Sequence, residues 1–179
     1  QAAGIRLALK TLLMTTNLCE FEALEAQAAE IGAGFRHDAA LFPCLTDGSR
    51  APLAFRVPPA EAVPRDLARP ARRCSAGQTF FHCDPFGGLR PCLMVGGDAS
   101  PVRAGRFHAA WGGALEEIRR RRRTRSGGSF DGELRGACTH CPAFNRLETG
   151  DEERESDYMK QTTRLRYEAA TSPLAGGNP

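Results

Sequence analysis

The stretch Cys74-Ser75-Ala76-Gly77-Gln78-Thr79-Phe80-Phe81-His82-Cys83-Asp84-Pro85-Phe86-Gly87-Gly88-Leu89-Arg90-Pro91-Cys92 reads as a cysteine-flanked β-hairpin. Thr79 to Cys83 is apolar and aromatic, Asp84 to Gly88 has the composition of a turn, and Leu89 to Cys92 forms the returning arm. Cys83 ends one arm and Cys92 the other, which places them near each other across the turn, with Cys74 just before the first arm. Cys141, in Cys138-Thr139-His140-Cys141, closes the set from further along the chain. Four soft thiolates around one point suit zinc or an iron–sulfur cluster. A lone CxxC pair is a weak signal. The longer spacing, Cys74, twelve residues, Gly87, four residues, Cys92, is more specific.

The chain has seven cysteines: these four with Cys19, Cys44 and Cys138. An odd count without a secretion signal favours metal ligands and free thiols in a reducing, cytoplasmic compartment over a disulfide framework. Cys19 and Cys44 read as small buried hydrophobes. His82 alternates to the strand face opposite Cys83 and reads as packed or solvated, His108 carries no specific signal, and His140, between two thiols, is the better metal candidate.

Working outward toward the N-terminus, residues 5–13 read as a strand with Ile5, Leu7, Leu9 and Leu13 on one face. Asn17 and Glu20 have capping-box spacing, a helix is expected over 18–31 on Phe21, Leu24, Ala28 and Ile31, and Phe35 to Phe42 reads as a second strand. Two strands joined by a helix are parallel, and two cannot close a sheet, so further strands belong elsewhere. Residues 43–73 read as a Pro-rich, irregular connection with a turn at Asp47-Gly48. Beyond the hairpin, 107–123 reads as an amphipathic helix ending in an arginine run, 125–135 as a Gly/Ser-rich mobile loop, 151–169 as a charged helix with Tyr158, Thr162 and Leu165 on one side, and 172–179 as a frayed tail.

The 179 residues are 41% hydrophobic and 25% charged, enough for a packed core. No apolar run reaches the roughly 18–20 residues of a membrane span, so no membrane partner is expected. A net charge of +3 and 7% aromatics argue against nucleic acid, and Arg119–Arg125 reads as a solvated run at a helix end. The first residue is Gln1, so the start of the chain reads as cut or processed.

Cys74 to Gly77, Phe81 to Gly87 and Pro91-Cys92 together resemble the auxiliary-cluster SPASM domain of radical SAM enzymes, and Cys138 to Ala143 resembles its closing end. Lys10-Thr11, Thr16-Asn17, Phe35-Arg36-His37-Asp38 and Asp47-Gly48 resemble the last strands of the barrel in peptide-modifying members. The resemblance spans roughly residues 4–169. It implies an α/β part, the last β-α-β portion of a partial TIM-type barrel, followed by a small α+β, cysteine-rich hairpin and helix domain. The implied divisions are 1–67, 68–146 and a C-terminal helix with tail at 147–179.

The resemblance implies that Cys74, Cys83, Cys92 and Cys141 hold one auxiliary [4Fe–4S] cluster. Relatives often carry an apolar residue at the position of Cys83, and Cys138 is either a bystander or the substitute ligand. A second such cluster has lost its ligands, since Ser126, Ser129 and Lys160 stand where cysteines belong. Arg36 and Asp38 lie on a strand that faces cofactor or substrate in a complete barrel; the plainer reading is a structural Arg–Asp pair. No CxxxCxxC occurs, so the chain lacks the cluster that cleaves S-adenosylmethionine and is not expected to be catalytic alone. That cofactor, the second cluster and a peptide or protein substrate belong to a full-length enzyme. The alternatives are a stand-alone zinc or iron–sulfur module docking on a partner chain or on itself, and a decayed product without metal.

Overall fold

Alternating apolar residues after Gly4 form β1 (Ala8–Leu12), and Gly34 opens β2 (Gly34–Asp38), which pairs with β1 in parallel, Ala8 opposite Gly34 and Leu12 opposite Asp38. The computed structural model describes residues 4–67, 74–96, 99–113, 115–116, 120, 128–139 and 141–172. The chain divides into two units, Gln1–Arg69 and Pro70–Pro179.

In the first unit the β-α-β connection is α1 (Phe21–Glu30), preceded by a 3-10 turn at Leu18–Glu20. Both strands are shorter than the expected 5–13 and 35–42. The expected apolar face splits as well: Leu13 is buried, whereas Ile5, Leu7 and Leu9 are exposed. Asn17 makes no cap. Its Oδ1 accepts the Met14 N–H at 2.8 Å and its Nδ2 donates to the Leu12 carbonyl at 2.9 Å, which closes the strand end instead.

The Pro-rich connection is more regular than its composition suggests. It holds a 3-10 turn at Ala51–Phe55 and helix α2 (Pro59–Asp66). Pro59 stands in the first helical turn, where its missing N–H has no partner to lose, and Pro64 is tolerated inside a helix of eight residues. Burial outweighs the breakers: Val57, Ala62, Leu13 and Phe21 form the core of this unit, with Leu18, Phe35 and Ala39 packed against it. Burying each of Leu13, Phe21 and Val57 contributes about 1.5–3 kcal/mol.

In the second unit the hairpin arms are short, β3 (His82–Cys83) and β4 (Gly88–Arg90), and β5 (Ser100–Pro101) adds a third antiparallel strand the sequence did not signal. Thr79 and Phe80 belong to a tight loop, in which the Gly77 N–H donates to the Phe80 carbonyl at 2.8 Å. Leu89 packs with Ala110 and Leu115 beneath Val102 and Trp111. Helix α3 (Phe107–Gly112) is shorter than expected; part of 113–123 lies outside the described residues.

Residues 128–136 are not a loose loop. They form 3-10 turns at Gly128–Phe130 and Gly132–Gly136, where the buried Ser129 donates its N–H to Glu155 Oε2 at 3.3 Å. Helix α4 (Pro142–Thr149) ends at Gly150, whose φ of 79° is the left-handed value that favours glycine. Helix α5 (Asp157–Thr171) starts at Ser156, whose hydroxyl accepts the Met159 N–H. Its buried stripe is Met159, Thr163 and Arg166, one position on from the expected Tyr158, Thr162 and Leu165, which are half-buried.

Candidate functional site

The loop that begins the second unit is shaped by Gly77. Its φ of 74° suits glycine, and a Cβ there meets the Pro91 Cβ at 3.3 Å. The Cys74 loop therefore lies directly against the Pro91-Cys92 segment. Cys141 stands at the N-cap of α4, followed by Pro142.

Three of the sulfurs accept a backbone N–H, that of Cys74 on an exposed residue and those of Cys92 and Cys141 on half-buried ones. Cys74 Sγ accepts the Ala76 N–H at 3.4 Å, Cys92 Sγ accepts the Met94 N–H at 3.3 Å, and Cys141 Sγ accepts the Phe144 N–H at 3.4 Å. Burial pushes the Cys141 thiol above its ordinary value; the Phe144 and Ala143 N–H groups pull it back, and the charges of Cys74 and Cys92 push it further up. Residues far apart in sequence thus act on one another here.

Cys83 is placed differently. It lies opposite Leu89 in the hairpin, is exposed, and turns its sulfur toward the Asp84 carbonyl at 3.7 Å. The arms pair as far as Arg90, opposite His82, so Cys92 lies just beyond the ladder. Cys138 is half-buried, and His140 lies outside the described residues. All seven cysteines are free thiols. Among the described residues, no three His, Cys, Asp or Glu side chains stand close enough together to hold an ion as placed. The thiols of Cys74, Cys83, Cys92 and Cys141 all have the donor chemistry of a zinc or iron–sulfur ligand.

The hairpin turn is clamped by Asp84. Its Oδ1 accepts the N–H groups of Phe86 at 2.9 Å and Gly88 at 2.7 Å, and Oδ2 lies 3.6 Å from Arg90. The Gly88 N–H, with smaller contributions from the Phe86 N–H, Arg90 and His82, holds the Asp84 carboxyl below the usual carboxylate range. Gly88 is required for space: a Cβ meets Asp84 Oδ2 at 2.4 Å and the Ala99 Cβ at 2.7 Å.

The remaining candidates stand in the first unit. Arg36 and Asp38 are both exposed and form no pair with each other; Asp38 lies 3.7 Å from Lys10 instead. The buried residue between them is His37, edge-on to Phe21 with ring centroids 4.9 Å apart and 4.0 Å from Asp66. Cys19 is exposed and Cys44 half-buried beside Thr46, so neither is the buried hydrophobe expected. An open groove along α1, lined by Leu24, Gln27 and Glu30, contains none of the candidate residues.

Sequence reading missed the N–H donors that mark out three of the cysteines. The available signal was the short run after each: Ser75-Ala76 after Cys74, Leu93-Met94 after Cys92, and Pro142 after Cys141. No helix among the described residues is long and apolar enough to cross a membrane. Comparison of the chain with known protein families, with characterised proteins and with solved structures returns no match.

Proposed function

We propose that this chain is the C-terminal part of a radical SAM enzyme that modifies peptides or proteins in the cytoplasm, with Cys74, Cys92 and Cys141 as ligands of an auxiliary [4Fe–4S] cluster. The observation that carries the reading is the hydrogen bonding common to these three sulfurs. Each accepts a backbone N–H, and two of them act electrostatically on the third. The motif resemblance supplies the family, since three thiols alone serve zinc equally well.

A bound cluster of this type supplies one-electron transfer or an anchor for substrate. The chain's own residues prepare the position. Gly77 seats the Cys74 loop on Pro91, the N–H groups of Ala76, Met94 and Phe144 orient the three sulfurs, and Cys141 is partly buried. Cys138, three residues from Cys141, is the nearest further thiol in sequence, and Cys83 is set aside. The cofactor-cleaving cluster and the remaining barrel strands come from chain outside this sequence or from a partner. Among the described residues β1 pairs only with β2, so one of its edges remains available to a further strand.

Anaerobic reconstitution followed by counting iron, sulfide and zinc tests the proposal. About four iron and four sulfide per chain, lost in Cys92→Ala, is the expected result. One zinc without sulfide moves the assignment to a zinc module docking on a partner, and no metal in any preparation defeats the ligand assignment.

A further inference from the structure

The hairpin and α3 build an aromatic surface that the metal reading does not use. Phe81 lies 5.2 Å from Phe107 and 5.7 Å from Trp111, centroid to centroid, and Phe107 stacks on Trp111 at 5.8 Å with planes 22° apart. The three rings hold one another in place, yet Phe81 is 41% and Phe107 36% exposed, and Phe80, next in the chain, is 54% exposed. Ring-to-ring packing fixes the side chains in advance, so covering this surface costs little rotamer entropy. A cluster of apolar rings left in water on a rigid support is the usual form of a contact surface.

The charges beside the rings indicate what covers them. From Ser100 to Leu115 the sequence has Arg103, Arg106 and His108 and no Asp or Glu. Arg106 caps α3 immediately before Phe107. Arg103 and Arg106 are exposed, and no ion pair joins either to an acid among the described residues. Two exposed guanidinium groups next to an apolar floor match an anionic chain that carries an apolar anchor. Nucleic acid fits less well, because base stacking needs ring faces turned outward, and here Phe107 and Trp111 are stacked on each other.

We infer that Phe81, Phe107 and Trp111, flanked by Arg103 and Arg106, form a docking surface for an acidic peptide segment bearing an aromatic or large aliphatic anchor. This deepens the peptide-modification reading by naming the class of peptide, and its readout involves no metal, so the two fail separately.

Trp111 is the only tryptophan of the chain, so its emission reports the surface directly. The full chain is titrated with a synthetic peptide of glutamates around a single phenylalanine. Controls are the same peptide with lysine for glutamate, the same with serine for phenylalanine, and oligothymidylate. The expected result is a saturable emission shift with the acidic, phenylalanine-bearing peptide, weakened at least about tenfold in R103E/R106E and by added salt. Both arginines are exposed, so this variant leaves the fold intact; Phe81→Leu, which keeps the hairpin apolar, should weaken binding while far-UV dichroism stays unchanged. Equal binding of the lysine peptide, tighter binding of oligothymidylate, or no shift with any peptide overturns the inference. So does an emission change that follows protein concentration without peptide, which assigns the surface to a second copy of the chain.

Discussion

Ionisation of Cys141 is opposed by Cys74, although the two residues belong to opposite ends of the cysteine set in sequence. The same Cys141 sulfur is held by the Phe144 N–H at 3.4 Å, which favours ionisation, so its protonation is set by a balance of burial, neighbouring thiols and two backbone donors. A bound metal cation reverses the balance, because it replaces thiolate repulsion with attraction.

That balance sets a pH dependence. The Cys141 thiol is raised above its ordinary value of 9.0, so the folded apo chain holds this proton more tightly than the unfolded chain. The stability from this group is fully present below that ordinary value and is lost as pH rises through the higher folded value. Thermal melts of apo protein should show Tm falling on the alkaline side, and Cys141→Ser should flatten the fall. Metal uptake runs the other way: it releases protons and strengthens with pH.

The cysteines should separate into two groups by substitution. Under the proposed assignment, C74S, C92S and C141S should each lose most of the metal taken up on reconstitution, with a lower Tm for the loaded protein, because metal affinity would then be folding energy. Under the same assignment C83S should take up as much metal as the unsubstituted chain, since that sulfur is engaged with the Asp84 carbonyl. Metal per chain after desalting checks this, and a C83S protein empty of metal returns Cys83 to the ligand set.

Gly88 has no room for a side chain. Gly88→Ala drives a Cβ into Asp84 Oδ2 and the Ala99 Cβ, so it should open the Asp84 clamp and detach β5. Asp84→Ala removes the clamp alone. Both should lower Tm, G88A by more, because Ala99 offers a carbon atom on a short side chain instead of a flexible tip. Because the Asp84 carboxyl is depressed, the wild-type advantage over D84A is present above the usual value of 3.8 and should fade as pH falls through the lower folded value. Melting curves at neutral and acid pH decide the point.

Leu89 is the buried centre of the hairpin core, 1% exposed against Ala110 and Leu115. Leu89→Ala should cost about 2–5 kcal/mol in urea unfolding, and Leu89→Met well under half of that. Equal losses from the two variants contradict a tightly packed core at this position.

Several features were legible in sequence because their causes are local. The β-α-β order, the hairpin turn at Asp84-Pro85-Phe86-Gly87-Gly88, the Asp47-Gly48 turn and the amphipathic starts of the helices follow from residues within a few positions of one another. Others were misread where burial outweighed local preference. Pro58, Pro59 and Pro64 signal a break, yet α2 forms because Ala62 packs with Leu13 and Val57. The run after Gly127 looks loose, yet Ser129 is buried against Glu155.

By itself, then, the sequence determined the kinds of element and the supply of thiols, since turn chemistry and periodicity act over short distances. The tertiary structure decided which thiols act on one another. Gly77 packs against Pro91, Cys141 takes the N-cap of α4 and is acted on by Cys74 and Cys92, and the hairpin ladder ends at Arg90, short of Cys92. It also stacked Phe107 on Trp111 beside Phe81. Such choices depend on how far a strand pairs and on which loops pack together, and no short window of residues encodes either.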